Sequence, residues 1–143
     1  MEKFEYFLET KEVRKELSNI ALAHSLIKDM EERIKKSISL DIKIFSKIIF
    51  ENFYDAIQDF CNALLAIDGY KSYSHIASIA YLSKYGFNDY EISILDNFRL
   101  RRHGSKYYGV EISSEETEEI IKFYNRIKSL ITKLIKSKLN QNL

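Results

Sequence analysis

The chain has no proline, no tryptophan, only four glycines and a single cysteine among its 143 residues. Sheet-rich folds need many tight turns, and Gly and Pro make most of them. Their scarcity predicts long helices with few connections. One cysteine, Cys61, forbids an internal disulfide and fits a reducing, cytoplasmic compartment. Cys61 and three scattered histidines, His24, His75 and His103, do not form a metal-ligand pattern. A glycine-rich phosphate loop, a Ser–His–Asp spacing and HExxH are all missing, so neither cofactor nor metal is expected. No apolar run of about 18 residues occurs, so nothing is expected to span a membrane. The first residues, MEKFEYFLETKE, are too broken by charge for a signal peptide. Charge of one sign is not in excess either. A net charge of +1 argues against a generic nucleic-acid coat and leaves only a local patch for such contacts.

What is present is 45% hydrophobic and 30% charged residues, the balance of a globular chain. The length suits one domain over 1–143 with a sizeable core. Val13, Leu17, Ile20, His24, Ile27, Ile34 and Ile38 step by threes and fours, which predicts a long first helix over 11–39 after a short turn at 2–9. His24 then lies on its buried seam. A second helix over 42–67 carries a wide apolar face, from Ile44, Phe45 and Ile48 to Leu64 and Leu65, and should be central. Gly69 can end it in the left-handed conformation. Ser74 is a plausible N-cap for a short third helix to Tyr85, with His75 at its start. Asn88 or Asp89 opens a fourth helix over 89–103, stopped by Gly104. Ser113 and Glu116 have capping-box spacing for a last helix over 114–139. Its acids come early and its lysines late, as the helix dipole favours. KYYGVEIS is the only strand candidate, and it is short. The fold class is therefore all-α, an up-and-down bundle of four to five helices.

Asp96 to Gly109, DNFRLRRHGSKYYG, concentrates Arg99, Arg101, Arg102, His103 and Lys106. Ile94, Leu95 and Phe98 form the buried arc of the fourth helix, and four residues beyond Phe98 lies Arg102. A guanidinium in line with an apolar stripe must meet an acid, a carbonyl, a cleft or a partner. Arg99, Arg102 and His103 can cluster on one face. Like charges gather more easily around an anion, and the arginine fork matches phosphate. Tyr107 and Tyr108 follow, able to supply hydroxyls or stacking faces. Arg101 and Lys106 read more simply as cations near a helix C-terminus.

The run Phe98-Arg99-Leu100-Arg101-Arg102-His103-Gly104-Ser105-Lys106-Tyr107-Tyr108-Gly109, late in a helical bundle, resembles the HEPN superfamily. The segment Ala63–Leu82, a glycine-ended helix and loop leading to a histidine-bearing helix, is also similar to small prokaryotic members. The likeness spans residues 10–138. It implies a homodimer that brings two Arg-polar-x-x-x-His motifs together. It also implies metal-independent ribonuclease chemistry in many members, and often a minimal nucleotidyltransferase as partner. Carried over, the motif arginine is Arg102, the polar position is His103, and the motif histidine falls on Tyr107. Tyrosine, with a pKa of about 10, is a poor proton shuttle at neutral pH. The tyrosine that some members carry two residues past the motif histidine, where a partner modifies it, falls on Gly109.

Three readings follow. The first is a catalytically weak or inactive HEPN-like dimer that binds an RNA or nucleotide phosphate through Arg99, Arg102, His103, Tyr107 and Tyr108. The second is a metal-independent endoribonuclease with an altered site of Arg102, His103 and Tyr107. The third is a structural interaction bundle, which pairing of Arg102 with an internal acid such as Asp96, Glu91 or Glu111 would support.

Overall fold

The computed structural model describes residues 1–140. Among these described residues, six α-helices are joined by short connections and one small two-stranded ribbon. In chain order they are α1 (Phe4–Glu9), β1 (Val13–Lys15), α2 (Ile20–Ser37), α3 (Ser46–Asp68), β2 (Tyr70–Ser72), α4 (His75–Ala80), α5 (Asp89–Tyr108) and α6 (Ser114–Leu139). A 3₁₀ turn, Tyr81–Tyr85, continues α4. No helix among the described residues is long and apolar enough to cross a membrane.

As its wide apolar face predicts, α3 is the central element. It buries Ile49, Phe50, Phe53, Tyr54, Ile57, Phe60, Leu64 and Leu65, among others. It packs most extensively on α2, then on α6, and also meets α4 and α5. Its start is later than the sequence periodicity predicts. Ile44 and Phe45 lie in the preceding turn, and Ile44 and Ile48 are exposed.

The predicted first helix over 11–39 is divided. Val13–Lys15 is a strand, antiparallel to Tyr70–Ser72, with Val13 opposite Ser72. Only Val13 of that strand is buried. One apolar residue fits helix and strand periods equally, so the pattern there carries no decision. Tertiary bonding decides it instead. Glu16 N donates to Gly69 O and Asn19 N to Ala66 O, each at 2.8 Å, and Ser18 Oγ donates to Ile67 O at 2.7 Å. These bonds hold the segment against the end of α3. Gly69 permits the approach: its φ is +84°, and a Cβ there would sit 2.7 Å from Glu16 O. Asn19 then caps α2 through Leu22 N. Leu17, placed on the helical seam by its spacing, lies before α2 and is 92% exposed. His24 is also exposed rather than buried.

The expected turn at 2–9 is the helix α1. At six residues it is too short to persist alone. Phe4 and Phe7 dock it, with Phe4 against Tyr81 and Tyr70 at ring distances of 4.5 and 5.5 Å. The predicted Ser113–Glu116 capping box forms, and of the two candidate openers of the next-to-last helix it is Asn88 that caps, completing a second box with Glu91. The fourth predicted helix does not stop at Gly104. It runs to Tyr108 and ends at Gly109, whose φ is +66°. KYYGVEIS is accordingly helix end and connection, not strand.

Candidate functional site

Phe98 fixes how α5 is rolled. It is buried between Phe50 of α3 and Phe123 of α6, edge to face with each at 5.8 and 5.7 Å. One turn later, the same side of α5 presents Arg102 to α3. There Glu51 and Asp55, four residues apart, receive it. Arg102 Nη2 donates to Asp55 Oδ2 at 3.2 Å, and Nη1 lies 3.6 Å from Glu51 Oε2. The acids are not the ones the sequence singled out. Asp96 pairs with Arg99 at 2.7 Å, and Arg102 reaches across to another helix. Asp55 is shared, since Arg33 of α2 lies 3.7 Å from it while bonding Asp59 at 3.0 Å.

This chain of charges leaves donors over. A guanidinium has five N–H groups, and Arg102 places one in a hydrogen bond. Its Nε is buried without a partner. A buried charged donor without an acceptor is costly and rarely kept where it serves only packing.

Above the carboxylates lies a cleft of about 280 Å³ lined by Tyr54, His75, Arg99, Arg102, His103, Lys106 and Tyr107. Three cations and two histidines share its wall, and no carboxylate does. The sequence-predicted Arg99, Arg102, His103 and Tyr107 are thus brought together. His103 packs at a tilt against Tyr107, with ring centroids 4.8 Å apart, and meets Tyr108 edge-on at 5.6 Å. Tyr108 is not part of the lining and is 75% exposed. Lys106 also lines the cleft, because α5 continues past Gly104 and carries it one turn beyond Arg102. Arg101 turns the other way and binds Glu119 of α6 at 2.8 Å.

No family model matches this chain, and no curated protein or solved structure does either. The cleft has to be read from its own chemistry. Among the described residues no group of three His, Cys, Asp or Glu side chains is arranged to hold a metal ion.

Two lining residues escape the sequence pattern. His75 is the first residue of α4, held there by the Ser74 cap, whose Oγ accepts from Ala77 N at 3.3 Å. Its Nδ1 lies 3.1 Å from Tyr54 Oη, and Gln58 Nε2 donates to Tyr54 Oη at 3.0 Å and to the His75 carbonyl at 3.2 Å. Partial burial lowers the His75 pKa, and Arg102, Arg99 and Lys106 push the same way against Asp55. Burial pushes the Tyr54 phenol well above its ordinary range. His75 is therefore a neutral imidazole at pH 7 beside a phenol that stays protonated. The spacing of Tyr54 and Gln58 on α3, one turn apart, is the only trace of this pair in the sequence.

Proposed function

We propose that this chain is a HEPN-like protein whose cleft binds the phosphate of RNA or of a nucleotide, with weak catalysis or none. One observation carries the reading: Arg99, Arg102 and Lys106 converge with His75 and His103 on a wall that has no carboxylate. An anion between the three cations relieves their mutual repulsion, and Arg donors suit its oxygens. Arg102 is the principal ligand, oriented from behind by Glu51 and Asp55. Arg99 and Lys106 add charge, His103 and Tyr107 add donors, and Tyr108 flanks them. Weak catalysis follows from Tyr107 standing where the HEPN motif has its histidine. A homodimer through α5 and a minimal nucleotidyltransferase partner belong to the same proposal, on the strength of the resemblance.

Two observations favour other readings. The pairing of Arg102 with Glu51 and Asp55 suits an interaction bundle in which that arginine merely clamps α5 to α3. The entry of His75 into the cleft suits an active ribonuclease, since two histidines, His75 and His103, then face one space.

The test is binding and cleavage of single-stranded RNA by the purified protein in the presence of a chelator, with Arg102→Ala and His103→Ala beside it. The expected result is binding that weakens on raising salt and falls about 10–100-fold in Arg102→Ala, corresponding to about 1.5–3 kcal/mol for a charge-assisted contact. Little cleavage is expected. Cleavage lost in both variants would establish the ribonuclease. Absence of RNA and nucleotide binding, with Arg102→Ala lowering only the melting temperature, would leave the clamp.

A further inference from the structure

The hydrogen bonds around Tyr54 determine where the His75 proton sits. The His75 carbonyl can only accept, so the Gln58 atom 3.2 Å from it is the amide nitrogen. The same nitrogen is 3.0 Å from Tyr54 Oη, so Tyr54 accepts there. The Tyr54 hydroxyl proton must then go to its other neighbour, His75 Nδ1, at 3.1 Å. Nδ1 is consequently the acceptor nitrogen of the ring, and the imidazole proton resides on Nε2. In the opposite tautomer Tyr54 Oη would accept twice, and its own proton would be buried without an acceptor. Tyr54 is 1% exposed, so water does not offer one. Reversing the Gln58 amide would set two carbonyl oxygens against each other at the His75 contact.

The other ring nitrogen, Nε2, has no partner among the described residues, and the ring lines the cleft beside Arg99, Arg102 and Lys106. A fourth cation there would be repelled by the other three. A neutral ring offers a donor without adding charge.

We infer that His75 is a further phosphate ligand of this cleft, a neutral imidazole donating through Nε2–H, with Tyr54 and Gln58 as the positioning residues that fix its tautomer. This rests on the phosphate reading above and adds to it a residue from α4 that lies outside the arginine-bearing helix. It assigns His75 a role different from proton transfer. A histidine that accepts a proton from substrate needs a bare Nε2, and the Tyr54 bond keeps that nitrogen protonated.

The experiment has two arms on the full chain. The first reads the tautomer of His75 from the ¹⁵N shifts of its ring at pH 7, in the free protein and in Tyr54→Phe. Protonated Nε2 with bare Nδ1 is expected, and Tyr54→Phe is expected to lose this bias. The second arm measures binding of a single-stranded RNA octamer and, separately, of ATP to His75→Ala, His75→Gln and His75→Asn. The Gln amide nitrogen falls near the Nε2 position and the Asn nitrogen near Nδ1. Binding should fall roughly 10-fold in His75→Ala and His75→Asn and recover in His75→Gln. Recovery with RNA but not ATP would identify a phosphodiester as the ligand, and the reverse a nucleotide. A proton on Nδ1, or a charged ring, overturns the inference while leaving Arg102-dependent binding intact. So does His75→Gln behaving as His75→Ala. If neither probe binds, the phosphate reading fails and the ligand role of His75 fails with it, whatever the tautomer.

Discussion

At the scale of single residues, the charges behind the cleft are arranged as a chain rather than as separate pairs. Arg33 holds Asp59 and leans on Asp55, and Asp55 in turn holds Arg102 at the cleft. Burial pushes the Asp59 carboxyl up to about 6, with Arg33 opposing the shift. Two consequences can be measured. Its side-chain carbon resonance should titrate near pH 6, and Arg33→Ala should move that midpoint higher, because the opposing cation is gone. The sign for stability follows by linkage. The folded carboxyl binds its proton more readily than the unfolded one, whose value is 3.8. Asp59 therefore lowers stability as pH rises from 3.8 through about 6, and Asp59→Asn should flatten that part of the curve. A midpoint at an ordinary carboxylate value would contradict the burial argument. The residue scale is also where the sequence was only partly legible. Arg99, Arg102, His103 and Tyr107 lie on one helix, so local spacing gathers them. His75 and Tyr54 lie 21 residues apart on different helices and meet only because α4 folds back on α3. No period in the chain encodes that return.

At the scale of elements, helix starts were legible where a side chain closes the first turn. Asn88–Glu91 and Ser113–Glu116 are local devices, complete within four residues, and both form. Ends and breaks were less so. The β1–β2 ribbon depends on bonds from Glu16, Ser18 and Asn19 to the end of α3, about 50 residues away, and short-range pattern is blind to them. Gly104 and Gly109 make the point in opposite ways. Gly104 is helical, and a Cβ there would meet Val110 Cγ2 at 3.5 Å, an ordinary contact. Gly109 closes the helix at φ +66°, with its N–H on Gly104 O. Gly104→Ala should therefore stabilise the protein by about 0.5–1 kcal/mol through helix propensity. Gly109→Ala should destabilise it by about 1 kcal/mol through the left-handed conformation. Thermal melts of the two variants should move in opposite directions. Equal destabilisation would mean that Gly104 marks a real break, and Lys106 would then lose its place in the cleft.

At the scale of the whole molecule, elements distant in sequence are tied at a single carboxylate. Asp68, the last residue of α3, accepts from Tyr81 at 2.5 Å, from Tyr85, and from Lys138 at 3.1 Å, with Lys84 3.7 Å away. The end of the central helix, the 3₁₀ turn after α4 and the last turn of α6 are thus joined around it. The basic C-terminal turn of α6 complements its helix dipole as its composition suggested, and one of its lysines also serves this tie. Burial alone would raise the Asp68 carboxyl, but the bonds from Tyr81, Tyr85 and Lys138 outweigh it and hold it below the ordinary value. The carboxyl is therefore more acidic folded than unfolded. Its contribution is present above 3.8 and is lost as pH falls through the lower folded value. Asp68→Ala strips two phenols and a lysine of their shared acceptor. It should lower stability by about 2–3 kcal/mol, a fall in Tm of roughly 5–15 °C at neutral pH. Asp68→Asn keeps an acceptor but removes the charge, so it should fall between wild type and Asp68→Ala. The gap between wild type and Asp68→Asn should narrow only once pH drops below 3.8, where protonation does to the native residue what the substitution did. A gap that stays constant into strong acid would show that the carboxylate charge contributes nothing and that packing of Tyr81 and Tyr85 alone joins the three elements. Because Asp68 lies at the opposite end of α3 from Glu51 and outside the cleft lining, these variants should leave RNA affinity unchanged while the fold persists, which separates loss of the tie from loss of the phosphate site.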